Sequence, residues 1–141
     1  MYDHILIPID LDATSANSKV VETAMDLARN NVATLHFLAV VPPLDSFAST
    51  FFPKGFQTQA IEAARERLHD FTGKLDLSGL KVQHVVTHGA IYDQIIATSE
   101  KVDADLIVLA SHRPEARDYL LGPNAARVVR HANCSVMVVR D

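Results

Sequence analysis

Apolar residues recur along this chain in two alternating rhythms. Five short runs rich in β-branched side chains, at 5–9, 35–41, 82–86, 106–109 and 136–139, read as strands. The first, fourth and fifth are almost continuously apolar, the pattern of strands covered on both faces in a parallel sheet. Between the runs the spacing lengthens to that of a helix. Val20, Ala24, Leu27 and Ala28 share one face, and so do Phe56, Ala60, Ala64, Leu68, Phe71 and Leu75. A third segment aligns Ile91, Ile95 and Val102, and a fourth helix is predicted over 123–132.

Strict alternation of strand and helix, joined by right-handed crossovers, predicts an α/β fold: an open, doubly wound, five-stranded parallel sheet with helices on both faces. The strand order does not follow from periodicity. Ligands of such sheets bind beyond the carboxyl ends of the strands, where the winding reverses, which directs attention to the residues after the first and fourth strands. The segment 42–55, with three Phe and three Pro, interrupts the compact pattern. It reads either as a lid or binding element or as a disordered or self-packed connection.

Composition narrows the function classes. A length of 141 residues at 48% hydrophobic content suits one domain spanning 1–141 with one sizeable core. The 13 Lys and Arg against 17 Asp and Glu, without long runs of one sign, disfavour a general binder of nucleic acid or membrane surfaces. The start of the chain carries no basic segment before a short apolar run, no stretch is long enough to span a bilayer, and Cys134 is the single cysteine. A cytoplasmic protein without an intrachain disulfide is the expectation.

Candidate chemistry concentrates after the fourth strand. Ala110, Ser111, His112, Arg113 and Pro114 form a polar turn, followed later by Gly122, Pro123, Asn124 and Ala125, which read as a helix start. Pro123 suits the first helical position, where its missing N–H would have no partner anyway. Free N–H groups and the helix dipole make such an end a site for phosphate.

The stretch 105–140, with Ala110-Ser111-His112-Arg113, Leu121-Gly122-Pro123-Asn124 and the closing Ser135–Arg140, resembles the universal stress protein family, closest to its F type. The start, Ile5-Leu6-Ile7-Pro8-Ile9-Asp10, is similar to that family's first strand, and the likeness covers the whole chain. It implies a Rossmann-like sheet in the order 3-2-1-4-5 and a homodimer joined through Ser135–Arg140. In one branch it also implies ATP or AMP bound by Gly, two residues, Gly, nine residues, then Gly and Ser or Thr. Here Ala110 and Arg113 stand at the first two glycine positions, the spacer before Gly122 is one residue shorter, and Pro123 replaces the hydroxyl residue. Pro123 removes a hydroxyl and a backbone donor, each worth roughly 1 kcal/mol to a bound phosphate. Arg113 adds a permanent forked cation, and Asn124 offers replacement donors.

The same resemblance implies roles for further residues. Asp10 would contact the adenosine or a phosphate-bound cation, or else cap the first helix together with Asp12, Thr14 or Ser15. Pro8, Ile9, Val40 and Val41 would form an apolar slot for the base, although by composition they are strand core. Gly89 is either a ligand contact or a tight turn. His112 is a phosphate or ribose contact, or a turn stabiliser.

Seven histidines raise the question of metal. His84 and His88 sit roughly 13 Å apart along an extended chain, too far to share an ion, so Mg²⁺ carried mainly by nucleotide phosphates is the one metal expected. Ser111 beside His112 lacks the strained elbow of a hydrolase nucleophile. The expected function is a stress-response regulatory module, a homodimer binding ATP or AMP with little turnover and serving an unidentified protein partner. The alternatives are a slow ATP hydrolase or phosphotransferase, and a nucleotide-free dimeric interaction protein.

Overall fold

A computed structural model describes residues 1–43, 55–111 and 123–140. The element order is β1 (His4–Pro8), a 3₁₀ turn (Thr14–Asn17), α1 (Ser18–Asn31), β2 (Thr34–Val41), α2 (Phe56–Thr72), β3 (Lys81–His88), α3 (Ile91–Lys101), β4 (Leu106–Ser111), α4 (Pro123–His131) and β5 (Ser135–Arg140). All neighbouring strands are parallel, in the order β3-β2-β1-β4-β5. The alternation read from the sequence thus yields the expected doubly wound sheet. The winding reverses between β1 and β4, because the chain leaves β1 toward β2 and returns later on its other side.

Right-handed crossovers put α1 and α2 on one face and α3 and α4 on the other. Register then assigns the side chains. Ile5, Ile7, Leu35, Phe37, Ala39 and Val41 lie on the face of α1 and α2, whereas Leu6, His36, Leu38 and Gln83 lie on the opposite face. The interior strands are inaccessible along nearly their whole length, with Ile5, Leu6, Ile7, Leu35, Phe37, Leu38, Ile107 and Leu109 fully buried. Each such side chain contributes about 1.5–3 kcal/mol through lost water contact.

The expectation for the last strand needs correction. β5 is not covered on both faces: Ser135, Val138 and Arg140 are exposed, and the rest are half-buried. It is the sheet's outer strand beside β4, and the helices reach over only part of it. β1, β2 and β4, each flanked by two strands, are the enclosed ones.

Two helix ends depart from the periodicity. α2 stops at Thr72 rather than running through Leu75, because Gly73, a poor helix former, caps it and donates to the His69 carbonyl at 2.8 Å. α1 ends on Val32 in the left-handed conformation (φ 54°), which a β-branched side chain adopts only under strain. That turn lets Ala33 donate to the Ala28 carbonyl and leads straight into β2. At the start of the chain the Asp105 carboxylate accepts from the backbone N–H groups of Asp3 (2.7 Å) and His4 (3.1 Å), locking β1 to the turn before β4. The segment 44–54, most of the loop singled out in the sequence, lies outside the described residues.

Candidate functional site

The carboxyl ends of β1 and β2 open into a cavity of about 700 Å³. Its floor is the sheet's end, with Ile9, Ala39, Val40 and Val41. One wall is the turn after β1, residues 10–13, and the other is α2, which presents Ala60, Ala63, Ala64 and Arg67. Pro42 and Ile91 complete the described lining. The run of alanines on α2 explains why space remains, since the methyl groups there cannot reach across to the turn.

The turn is rigid for a reason visible only in three dimensions. Asn17 is fully buried, and its Nδ2 donates to the carbonyls of Asp10 (2.9 Å) and Ala13 (3.2 Å). Its Oδ1 accepts a long bond from the Asp10 N–H at 3.5 Å. The amide therefore gathers backbone groups that would otherwise be buried without partners. Asp10 adds a local bond, accepting from the Asp12 N–H at 3.0 Å in an Asx-type turn. Ala13 caps the 3₁₀ turn and Asn17 caps α1, and neither makes a side-chain cap bond. The capping alternative for Asp10 and its neighbours is thereby corrected: the carboxylate is used inside the turn, two residues ahead of itself.

Of the residues expected at a site, the structure brings Ile9, Asp10, Val40 and Val41 into this one cavity. Pro8 is buried within β1 and is not part of the described lining. Gly89 lies in the turn before α3 at φ 144°, donating to the Val41 carbonyl at 3.0 Å. A Cβ there would meet the Gln94 side chain at 2.8 Å, so the turn itself accounts for glycine. Ala110 and Ser111 end β4, the first buried and the second half-buried, outside the lining. Pro123 opens α4 as expected, with Asn124 half-buried and engaged and Ala125 packed into the core. His112, Arg113 and Gly122 lie outside the described residues.

Two residues that shape the cavity, Asn17 and Arg67, were not singled out in the sequence. Arg67 lies beside the apolar stripe of α2 and reaches across the cavity, where its Nη2 donates to the Leu11 carbonyl (2.8 Å) and to Asp12 Oδ1 (3.0 Å). The usable signal was Ala63 beside Ala64 of the stripe, two small residues that leave room for a long neighbour to lie along the surface.

Away from the cavity, two histidine pairs flank β2 and β3. His36 is buried with its Nε2 3.0 Å from His4 Nδ1. Burial, then the adjacent His4, lowers its pKa, while Gln83 opposes the shift. On the other face His84 stacks on His69 with ring centroids 3.9 Å apart and meets Thr72 Oγ1 at 2.8 Å. Its pKa is likewise lowered by burial first and His69 second. Burial first and Asp105 second raise the pKa of the Cys134 thiol. Among the described residues no three His, Cys, Asp or Glu side chains converge as metal ligands, and no helix is long and apolar enough to cross a membrane.

Comparison with known proteins agrees with this architecture. The family model of the universal stress proteins matches residues 1–140. Universal stress protein G of Shigella flexneri is 31% identical over 99% of this chain and 100% of its own length. Universal stress protein A homolog 2 of Coxiella burnetii is 27% identical over 99% of this chain and 95% of its own. Among solved structures, a universal stress family protein from Burkholderia pseudomallei superposes with a TM-score of 0.74 at 22% identity, covering 98% of this chain and 96% of that one. A universal stress protein in complex with cAMP superposes at 0.62 and 19% identity, covering 99% and 97%. With the family model spanning all but the last residue and a relative this similar over its full length, the chain belongs to the universal stress protein family.

Proposed function

We propose that this chain binds an adenine nucleotide, ATP or AMP, in the cavity at the ends of β1 and β2, and acts as a regulatory module with little or no turnover. The observation that carries the reading is the cavity itself: about 700 Å³, with an apolar floor and a single rigid polar turn at one side. Ligand sites of small molecules have this size and this balance. Ile9, Ala39 and Val41 suit the flat face of a purine, and Asp10 offers a carboxylate to ribose hydroxyls or to a cation carried on the phosphates, for which Mg²⁺ is the natural choice. The phosphates would extend toward the first turn of α4, where backbone N–H groups favour an anion. Pro123 contributes no donor there, so Asn124 and Ala125 would supply them. A relative of the same fold in complex with cAMP supports the adenine class. Titration calorimetry of the purified protein with ATP, AMP and cAMP tests the reading. One-to-one binding below millimolar is the expected result, and no heat at millimolar nucleotide overturns it.

The reading includes a homodimer joined through β5. Its support is the exposed Val138 and the half-buried Val136, Met137 and Val139 along an outer strand whose free backbone groups would otherwise invite uncontrolled pairing. A two-fold pairing of these strands buries that row. Light scattering coupled to size exclusion distinguishes a dimer of this 15.5 kDa chain from a monomer.

A further inference from the structure

The cavity's two walls come from distant parts of the sequence, and one side chain joins them. Arg67, from α2, hydrogen-bonds the Leu11 carbonyl and the Asp12 carboxylate on the turn, bridging 56 and 55 residues. Asp12 is 89% exposed, so the ion pair adds little to stability. Its effect is positional, because two acceptors on one nitrogen fix where the planar guanidinium lies along the cavity. The same cavity is lined by the apolar Ile9, Ala39 and Val41 and by the short side chains of Ala60 and Ala64.

We propose that Arg67 is a binding strap that covers the heterocyclic base of the bound nucleotide, holding it against the apolar lining of Ile9, Ala39 and Val41. This rests on the nucleotide reading above. A guanidinium is flat, weakly hydrated and attracted to π faces, so it suits a purine as well as it suits an anion. The charges around it decide between the two. Asp10 and Asp12 line the same cavity, Arg67 is the only cation in the described lining, and its Nη2 already serves Asp12. A bare phosphate at this end would be repelled by two carboxylates, whereas a neutral base carries no charge for them to repel. The strap therefore reads the base, and phosphate affinity comes from elsewhere.

Titrating adenosine, AMP and ATP against the unaltered protein, Arg67→Ala and Arg67→Lys tests the strap. Loss of stacking in Arg67→Ala raises Kd by about tenfold for all three ligands, so the ratios among them stay fixed. Arg67→Lys, which keeps the charge but not the planar face, recovers only a small part. Thermal melting of the unliganded variants separates loss of fold from loss of contact. Unchanged affinity in a folded Arg67→Ala overturns the strap. A loss confined to AMP and ATP also overturns it, in favour of phosphate pairing. No binding of any ligand by the unaltered protein overturns the nucleotide reading and the strap with it.

Discussion

The turn after β1 and the outer strand β5 are both at the periphery of the sheet, yet they are held by opposite means. The turn owes its shape to polar groups: Asn17, without any exposure, ties the Asp10 and Ala13 carbonyls, and Arg67 ties Leu11 and Asp12 from another helix. β5 has backbone pairing on one side only and an apolar row that is half in water. Satisfied buried polar networks specify one geometry, as a recognition site requires. Unsatisfied apolar surface specifies no geometry until a partner supplies one.

The contrast can be broken most sharply at Asn17. Asn17→Ala leaves the Asp10 and Ala13 carbonyls without that partner and costs about 2–3 kcal/mol, read as a lower midpoint in urea denaturation. The same variant loosens the cavity wall, so its nucleotide affinity falls by more than its stability alone explains. The counterpart at the edge is Val138→Lys, which places a charge on the exposed apolar row. It weakens the proposed dimer by about tenfold or more in sedimentation while the monomer's melting temperature changes little. A residue outside both regions sharpens the scale. Val32→Gly relieves the left-handed strain at the end of α1 and, since Val32 is 82% exposed, sacrifices almost no packing. It raises unfolding free energy by about 1 kcal/mol.

The remaining expectation is a slope rather than a step. The folded state holds His36 and His84 with lowered pKa values, so the unfolded chain takes up protons more readily. Their contribution to stability is complete above about pH 6.5 and is lost as pH falls toward the folded values. Denaturation midpoints at about pH 7.5 and about pH 5.5 should therefore differ, the lower pH being less stable. His84→Gln, which keeps a polar group for Thr72, should flatten that difference.

How the sequence forecast these regions follows from what each one is made of. Strands and helices were legible because burial imposes a period on apolar side chains, as at Ile5 to Ile7 or Ala60, Ala64 and Leu68. Strand ends were less so: Thr87, His88 and Ser111 are polar, but a sheet pairs backbones regardless of side chain. The strand order came from the family resemblance alone. The placement of Ile9, Asp10, Val40 and Val41 at a site likewise came from the resemblance, since by composition the three apolar residues are strand core. Asn17 and Arg67 could not be placed there, since their importance lies in what they meet across the fold. The apolar composition of β5 suggested enclosure, and only its position at the margin reversed that.

The Asp105 carboxylate that holds the N–H groups of Asp3 and His4 spans 102 and 101 residues of chain. Such a closure is entropically late, because a long loop must be shut before the bonds repay it. During synthesis β3, β2 and β1 can assemble while β4 is still unmade, leaving the central strand with one flank open. The last third of the polypeptide then acts as the fastener of the first, and the cavity beside β1 acquires its final frame only after residue 105 has arrived.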